Sequence, residues 1–168
     1  MADYKFHILV CGGTGCMSSN SRQITENLND AIKAAGMTDD VKVLQTGCFG
    51  FCEQGPIVKI LPDNTFYTQV KPEDANEIIA EHIVKGRKVQ RLLYVDPEQE
   101  KHISDAKHME FYKKQMRISL HGCGSINPED INEAIGAGAF AGLARALQMD
   151  RADVIKEVLD SGLRGRGG

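Results

Sequence analysis

The sequence predicts an α/β fold: a β-α-β-β-β-α unit over residues 5–90, followed by a mostly helical second unit. Three observations predict it. Two short apolar runs, "KFHILV" (5–10) and "VKVLQT" (41–46), each lead into a glycine-rich loop bearing two cysteines. Between those runs, apolar residues recur at helical spacing. Beyond the second loop, two strand-like runs separated by a turn precede another segment of helical period.

The elements follow in order. "KFHILV" reads as a buried strand that ends at Cys11. Over 22–35, Ile24, Leu28, Ala31, Ile32 and Ala35 line one helical face, with Ser21 or Asn20 to cap its start and Gly36 where a C′ glycine belongs. "VKVLQT" is the second strand. "PIVKIL" (56–61) and "TFYTQV" (65–70), joined by "PDN", predict a hairpin. Pro72 starts a helix with Ala75, Ile78, Ile79 and Ile83 on one face and Gly86 at its end. Residues 91–116 are expected as a linker, because "VDPEQEKHISDAKH" (95–108) is charged and lacks periodicity. In the second unit, 117–168, "RISL" (117–120) predicts a short strand. Asn127 and Pro128 open a helix carrying Ile131, Ala134 and Ile135. A further helix carries Phe140, Leu143, Ala144 and Leu147. The last is capped by Asp150, carries Val154, Ile155, Val158 and Leu159, and closes at Gly162.

Composition bounds the function. The 168 residues are 42% hydrophobic and 26% charged, enough apolar material for a packed core. A net charge of −3 argues against bulk nucleic-acid binding. No apolar run approaches the length of a membrane span, so no membrane insertion is expected. The start, Met1-Ala2-Asp3-Tyr4-Lys5, lacks the pattern of a secretory signal, and the expected compartment is the cytoplasm. Thiols stay reduced there, so clustered cysteines point to metal or redox chemistry rather than structural disulfides.

Four cysteines form the patterns C-x4-C (Cys11, Cys16) and C-x3-C (Cys48, Cys52). A strand–helix–strand unit makes a parallel pair, so Cys11 and Cys48 follow strand ends at the same edge of the sheet. Topology alone therefore brings the two loops together. Three chemistries remain open on the residues: a 2Fe-2S cluster, a structural zinc ion and a dithiol couple. Zinc sites more often use C-x2-C pairs, whereas plant-type iron–sulfur sites open with C-x4-C. A four-thiolate 2Fe-2S core carries a formal charge of about −2 oxidised and about −3 reduced, and buried charge must be offset. Gly12, Gly13, Gly15, Gly47, Gly50 and Gly55 allow backbone N–H groups to turn toward sulfur, and Phe49 and Phe51 are placed to keep water from the second pair. Cys123, in "HGCGS", reads as a small residue in a turn, and His121 beside it as an ordinary loop histidine. His7 and His82 fall on a strand and a helix without a matching ligand partner, and His102 and His108 fall in the charged stretch.

On "CGGTGC" and "CFGFC", residues 5–90 resemble the thioredoxin-like 2Fe-2S ferredoxin family. That resemblance implies a thioredoxin-like fold over domain 1–90 and makes Cys11, Cys16, Cys48 and Cys52 the four cluster ligands. Residues 117–168, through "RISLHGCGSINPEDINEAIGAGAFAGLARAL" and "DVIKEVLDSGLRGRGG", resemble the opening of the NADH-binding, FMN-containing flavoprotein subunit of respiratory NADH dehydrogenases and NAD(P)-linked FeFe hydrogenases. In that family "SGLRGRGG" (161–168) begins a glycine-rich loop for FMN phosphate and nucleotide, which makes Gly165, Arg166, Gly167 and Gly168 the edge of such a site. A ferredoxin-like domain placed before a flavoprotein unit is similar to the beta subunit of electron-bifurcating hydrogenases and to related formate dehydrogenase subunits. Such subunits continue through the rest of the FMN and NADH domain and a 4Fe-4S domain. The chain is therefore expected to be a catalytically incomplete segment of a larger oxidoreductase subunit, with FMN and NAD(H) bound only by the whole. The expected function is electron transfer through a 2Fe-2S cluster, coupling NADH and ferredoxin to hydrogen, and the expected partners are other hydrogenase or NADH dehydrogenase-like subunits together with ferredoxin. A formate dehydrogenase-type subunit, a free 2Fe-2S carrier whose helical tail is a docking module, and a zinc-stabilised adaptor are the alternatives.

Overall fold

The computed structural model describes residues 4–98 and 100–165. Strand β1 (Phe6–Cys11) leads through a short helix α1 (Thr14–Ser18) into α2 (Ser21–Ala34), and β2 (Val41–Thr46) returns beside it. The hairpin β3 (Val58–Leu61) and β4 (Thr65–Tyr67) completes a sheet of order β2-β1-β3-β4. β1 and β2 are parallel, in register from Phe6 opposite Val41 to Cys11 opposite Thr46, and β3 runs antiparallel to both β1 and β4. Asn20 occupies the N-cap of α2 in a left-handed conformation (φ 68°), and Gly36 (φ 68°) closes that helix. Gly36 carries no Cβ to strain that conformation.

Pro72 opens the next helical segment, but the segment is not a uniform α-helix. It starts as a 3-10 turn (Pro72–Asp74), becomes α at α3 (Ala75–Glu77) and widens to a π-helix at Ile78–Val84. The Asp74 carboxylate accepts from the Lys71 N–H at 2.8 Å and stabilises the start. Gly86 (φ 68°) terminates it.

The sheet is buried on both faces, which is why β1 is an unbroken apolar run rather than an alternating one. Ile8 and Val10 point toward Ile24, Leu28 and Ile32 of α2 and Ile78 and Ile79 of the π-helical turn. Leu9 and Cys11, one residue out of phase, point to the opposite face with Leu44, Ile57 and Phe66. Each fully buried Leu or Ile there contributes about 1.5–3 kcal/mol.

That second face explains what becomes of the expected linker. Residues 91–116 form a hairpin, β5 (Tyr94–Asp96) and β6 (Lys101–Ile103), and a short helix α4 (Glu110–Lys113). Met109 is fully buried among Leu9, Leu44 and Phe66, with Tyr94, Ile103 and Tyr112 packed around them. The Phe66 N–H donates to the Ser104 carbonyl and the Thr68 N–H to the Leu92 carbonyl, both at 2.8 Å, so the stretch also covers the exposed edge of β4. A charged sequence with few apolar anchors suffices, because the sheet supplies the apolar surface.

The chain divides into two compact units, Met1–Pro128 and Glu129–Gly168. "RISL" forms bends and turns rather than a strand. In the second unit, α5 (Ile131–Gly136) is capped by Asp130, whose carboxylate accepts from the Asn132 N–H at 2.8 Å. Asn127 and Pro128, expected to open that helix, lie before it, because Asp130 sits where a carboxylate reaches the free N–H groups. α6 (Ala141–Ala146) and α7 (Arg151–Asp160) follow, with Asp150 at the N-cap of α7 and an Arg145–Glu157 ion pair at 3.1 Å. None of this unit's described residues is buried. Among the described residues no helix is long and apolar enough to cross a membrane.

Candidate metal centre

The parallel pairing of β1 and β2 sets the site. Cys11 ends β1 directly opposite Thr46, and the Gly12 N–H donates to the Thr46 carbonyl at 2.9 Å, which ties the two loops at their origins. Cys16 is carried inward on α1 and is buried; Cys48 is half-buried, and Cys52, at the start of a 3-10 turn (Cys52–Gln54), is exposed. All the cysteines are free thiols.

The four thiols converge as two pairs. Cys11 is close enough to Cys16 to shift its titration, and Cys48 is close enough to Cys52 to do the same. The pairs approach at Gly13, where an added Cβ would lie 3.0 Å from the Cys48 Sγ and 3.6 Å from the Cys11 Sγ. At Gly55 a Cβ would come within 2.8 Å of the Cys16 Sγ. Only residues without a Cβ leave the sulfurs this room. Among the described residues no three His, Cys, Asp or Glu side chains surround a point where one metal ion would be held.

Backbone donors reach the sulfurs sparingly. The Gly50 N–H donates to the Cys48 Sγ at 3.3 Å. Burial, with the neighbouring Cys11 thiol, pushes the Cys16 thiol up to about 12. The Cys48 thiol, by its charge and its hydrogen bond, pushes Cys52 up. Holding Cys16 and Cys52 as thiolates therefore calls for a cationic centre to compensate them. Phe49 and Phe51 are buried, Phe49 packing edge-on to Phe66 at 5.4 Å and Phe51 stacking on Phe111 at 4.3 Å, but they do not close the second pair to water as expected, because they turn into the core while Cys48 stays half-buried and Cys52 exposed. The first pair, Cys11 and Cys16, is the enclosed one.

A layer not foreseen in the sequence holds the second cysteine loop. The Tyr112 hydroxyl donates to the Phe49 carbonyl at 2.9 Å, and the Gly124 N–H donates to the Thr46 hydroxyl at 3.2 Å. The Lys59 ammonium donates to the Gly124 carbonyl at 2.7 Å. Cys123 is half-buried with its Sγ against Gly47, and exposed His121 bonds the Ile118 carbonyl, so neither joins the four thiols. The signal available was the run "FYKKQMR" (111–117), where two aromatic residues interrupt a charged stretch. His82 is buried between the Tyr67 hydroxyl (2.8 Å) and the Asp63 carboxylate (3.1 Å), far in role from any metal. Gly165 is an exposed loop residue; Arg166, Gly167 and Gly168 lie outside the described residues.

Fold and site define an α/β protein with a paired-thiol centre at one sheet edge. The comparisons place it among known proteins. The family model described as thioredoxin-like [2Fe-2S] ferredoxin matches residues 2–82. A 2Fe-2S ferredoxin of Clostridium pasteurianum is 37% identical over 100 residues, a match covering 55% of this chain and 98% of that protein. A solved thioredoxin-like [2Fe-2S] ferredoxin of Aquifex aeolicus superposes with a TM-score of 0.50 at 28% identity, covering 60% of this chain and 99% of that one. The NADP-reducing hydrogenase subunit HndC of Solidesulfovibrio fructosivorans is 50% identical over 56 residues, a match covering 33% of this chain and 11% of HndC. The chain belongs to the thioredoxin-like [2Fe-2S] ferredoxin family, and its chemistry is electron transfer through a 2Fe-2S cluster. The donors fit that group: soft thiols in two pairs, with the Gly13 and Gly55 cradle between and beside them.

Proposed function

We propose that Cys11, Cys16, Cys48 and Cys52 hold the cluster as thiolates, Cys11 with Cys16 on one iron and Cys48 with Cys52 on the other. The observation that carries this is the pairwise convergence of the thiols across Gly13. It supports two metal atoms rather than the single ion of a zinc adaptor. The cluster supplies a one-electron couple. The protein's part is to enclose the first pair among Leu9, Ile57 and Phe66, to donate an N–H group to Cys48, and to leave the Cys52 side open as the edge where electrons cross. Anaerobic purification, a visible spectrum before and after dithionite, and counts of iron, zinc and acid-labile sulfide test this. About two irons and two sulfides per chain, with colour that bleaches on reduction, are expected; a colourless protein with zinc would overturn it.

The wider setting we infer is an NAD(P)H-linked flavin and iron–sulfur oxidoreductase of the hydrogenase type, cytoplasmic and built of several subunits. The match to part of HndC supports it over a formate dehydrogenase-type subunit or a free carrier. The surface of the second unit supports it too: Leu147, Leu159 and Leu163 are each more than 70% exposed, apolar side chains suited to contact with other protein. In this reading electrons pass between the flavin of the whole enzyme and ferredoxin, with coupling to hydrogen, and residues 117–168 contribute the edge of the FMN and NAD(H) domain, Gly165 to Gly168 lying on its phosphate loop. Affinity purification of the tagged chain from its native cell tests it: hydrogenase subunits and flavin are expected to co-purify, and a chain that elutes alone and flavin-free would leave the carrier reading.

A further inference from the structure

Beside the second cysteine loop lies a cavity of about 310 Å³, within the size range of small-molecule sites. One wall is aromatic: Phe49, Phe66 and Tyr112. The rim is cationic, with Lys59, Lys107 and Arg117 and a single facing carboxylate, Asp105. Lys113 also borders it but is paired with Glu110 at 2.8 Å. Asp105 uses one oxygen on the Lys107 N–H at 2.9 Å. The Arg117 guanidinium lies 5.8 Å from the centre of the Tyr112 ring, and the Lys59 ammonium spends one of its donors on the Gly124 carbonyl.

This gathering of charge is unusual for the chain. The protein as a whole carries −3, yet here three cations share one carboxylate around a half-enclosed space. Burial lowers the pKa of Lys59; the Asp105 charge works against this, and the charges of Lys107 and Arg117 add to it. Like charges held close to one another destabilise the fold unless an anion lies among them. An arginine and two lysines offer forked and point donors suited to a carboxylate or phosphate. The aromatic residues of the lining offer a flat apolar body a surface to stack on. We propose that this cavity is a binding site for a small planar organic anion, a carboxylate or phosphate ester borne on a flat ring. The assignment is independent of which residues hold the cluster.

The test is isothermal titration of the full, cluster-loaded chain with phenyl phosphate and with benzoate, alongside inorganic phosphate and phenol. Saturable binding of one ligand per chain is expected for at least one of the two aromatic anions. Affinity should fall about tenfold in the Lys107→Gln/Arg117→Gln double variant and fall as NaCl rises from about 0.05 to about 0.5 M. Arg117→Lys, which keeps the charge, should retain more of the affinity than the double variant. Circular dichroism establishes that each variant is folded. If the double variant does not fold, Lys107→Gln alone, at an exposed side chain, is expected to weaken binding about threefold. No saturable binding of either aromatic anion, or unchanged binding in a folded variant, overturns the proposal. Inorganic phosphate binding as tightly as phenyl phosphate overturns the planar part, and phenol binding as tightly overturns the anionic part.

Discussion

Two glycines in the first cysteine loop, two residues apart, should respond oppositely to one added methyl. Gly13 sits at φ −63° and ψ 151°, which any residue adopts, so alanine there carries no backbone strain. Its Cβ would nevertheless stand 3.0 Å from the Cys48 Sγ, 3.1 Å from the Cys48 Cβ and 3.6 Å from the Cys11 Sγ. Non-bonded carbon contacts settle near about 3.5–4.0 Å, so the two cysteine loops must separate by about half an ångström. Overpacking of this kind costs about 1–3 kcal/mol. Gly15 lies inside α1, and its Cβ would meet Cys52 at 3.8 Å, an ordinary contact. Alanine in a helix is favoured over glycine by up to about 1 kcal/mol. Gly13→Ala should therefore melt at least about 2 °C below the wild type and hold less iron and sulfide after identical anaerobic reconstitution. Gly15→Ala should match or exceed the wild type in both. If Gly13→Ala loads fully and melts with the wild type, the close approach of the two loops is not what the structure gives, and the pairwise thiol argument loses its base.

Three further outcomes are expected. Serine at Cys11, Cys16, Cys48 or Cys52 should strip or alter the visible cluster spectrum, whereas Cys123→Ser should leave iron and sulfide counts unchanged. Tyr112→Phe removes the hydroxyl bonded to the Phe49 carbonyl and should cost about 1 kcal/mol in a denaturant titration; it should also quicken loss of the cluster in air, and equal bleaching rates would refute its part in holding the loop. Burial holds His82 below its ordinary pKa, and the Thr65 hydrogen bond and the His82 and Lys88 charges hold Asp63 below its own. In both cases the unfolded chain takes up protons first as pH falls. Stability should thus be full above about pH 6.5, decline as pH drops through the His82 value, and decline again below the carboxylate range. His82→Gln should flatten the first of these declines, read as the melting temperature from pH 8 to pH 5.

How much was legible in the sequence follows from which signals are local. The β-α-β-β-β-α order, the hairpin and the meeting of the two cysteine loops were legible, because apolar periodicity and the parallel pairing of a strand–helix–strand unit are written in short windows. The π-helical turn at Ile78–Val84 was not, since a helix that widens keeps nearly the same apolar face. Nor was the covering of the second sheet face by residues 94–112. Leu9, Leu44 and Phe66 demand a cover, but nothing in their own segments says which stretch supplies it. Met109, Tyr94 and Tyr112 are single apolar residues among charges, and one anchor at a time leaves no period to detect.

That covering layer matters to the chemistry as well as to the fold. The family match ends at residue 82, and the sheet and all four thiols lie within it. Yet the second cysteine loop is held by Tyr112 and packed against Cys123 and Gly124, from beyond the matched residues. The potential of an iron–sulfur centre is set largely by hydrogen bonds and solvent exposure around its sulfurs. Here the less buried pair, half-buried Cys48 and exposed Cys52, is the pair whose loop these later residues fix. A chain truncated after residue 90 keeps every proposed ligand but loses that support. It should therefore bind a cluster whose reduction potential differs from that of the full chain and whose lifetime in air is shorter. Square-wave voltammetry of the two proteins side by side measures this. Identical potentials and lifetimes would mean that residues 91–128 serve the fold alone.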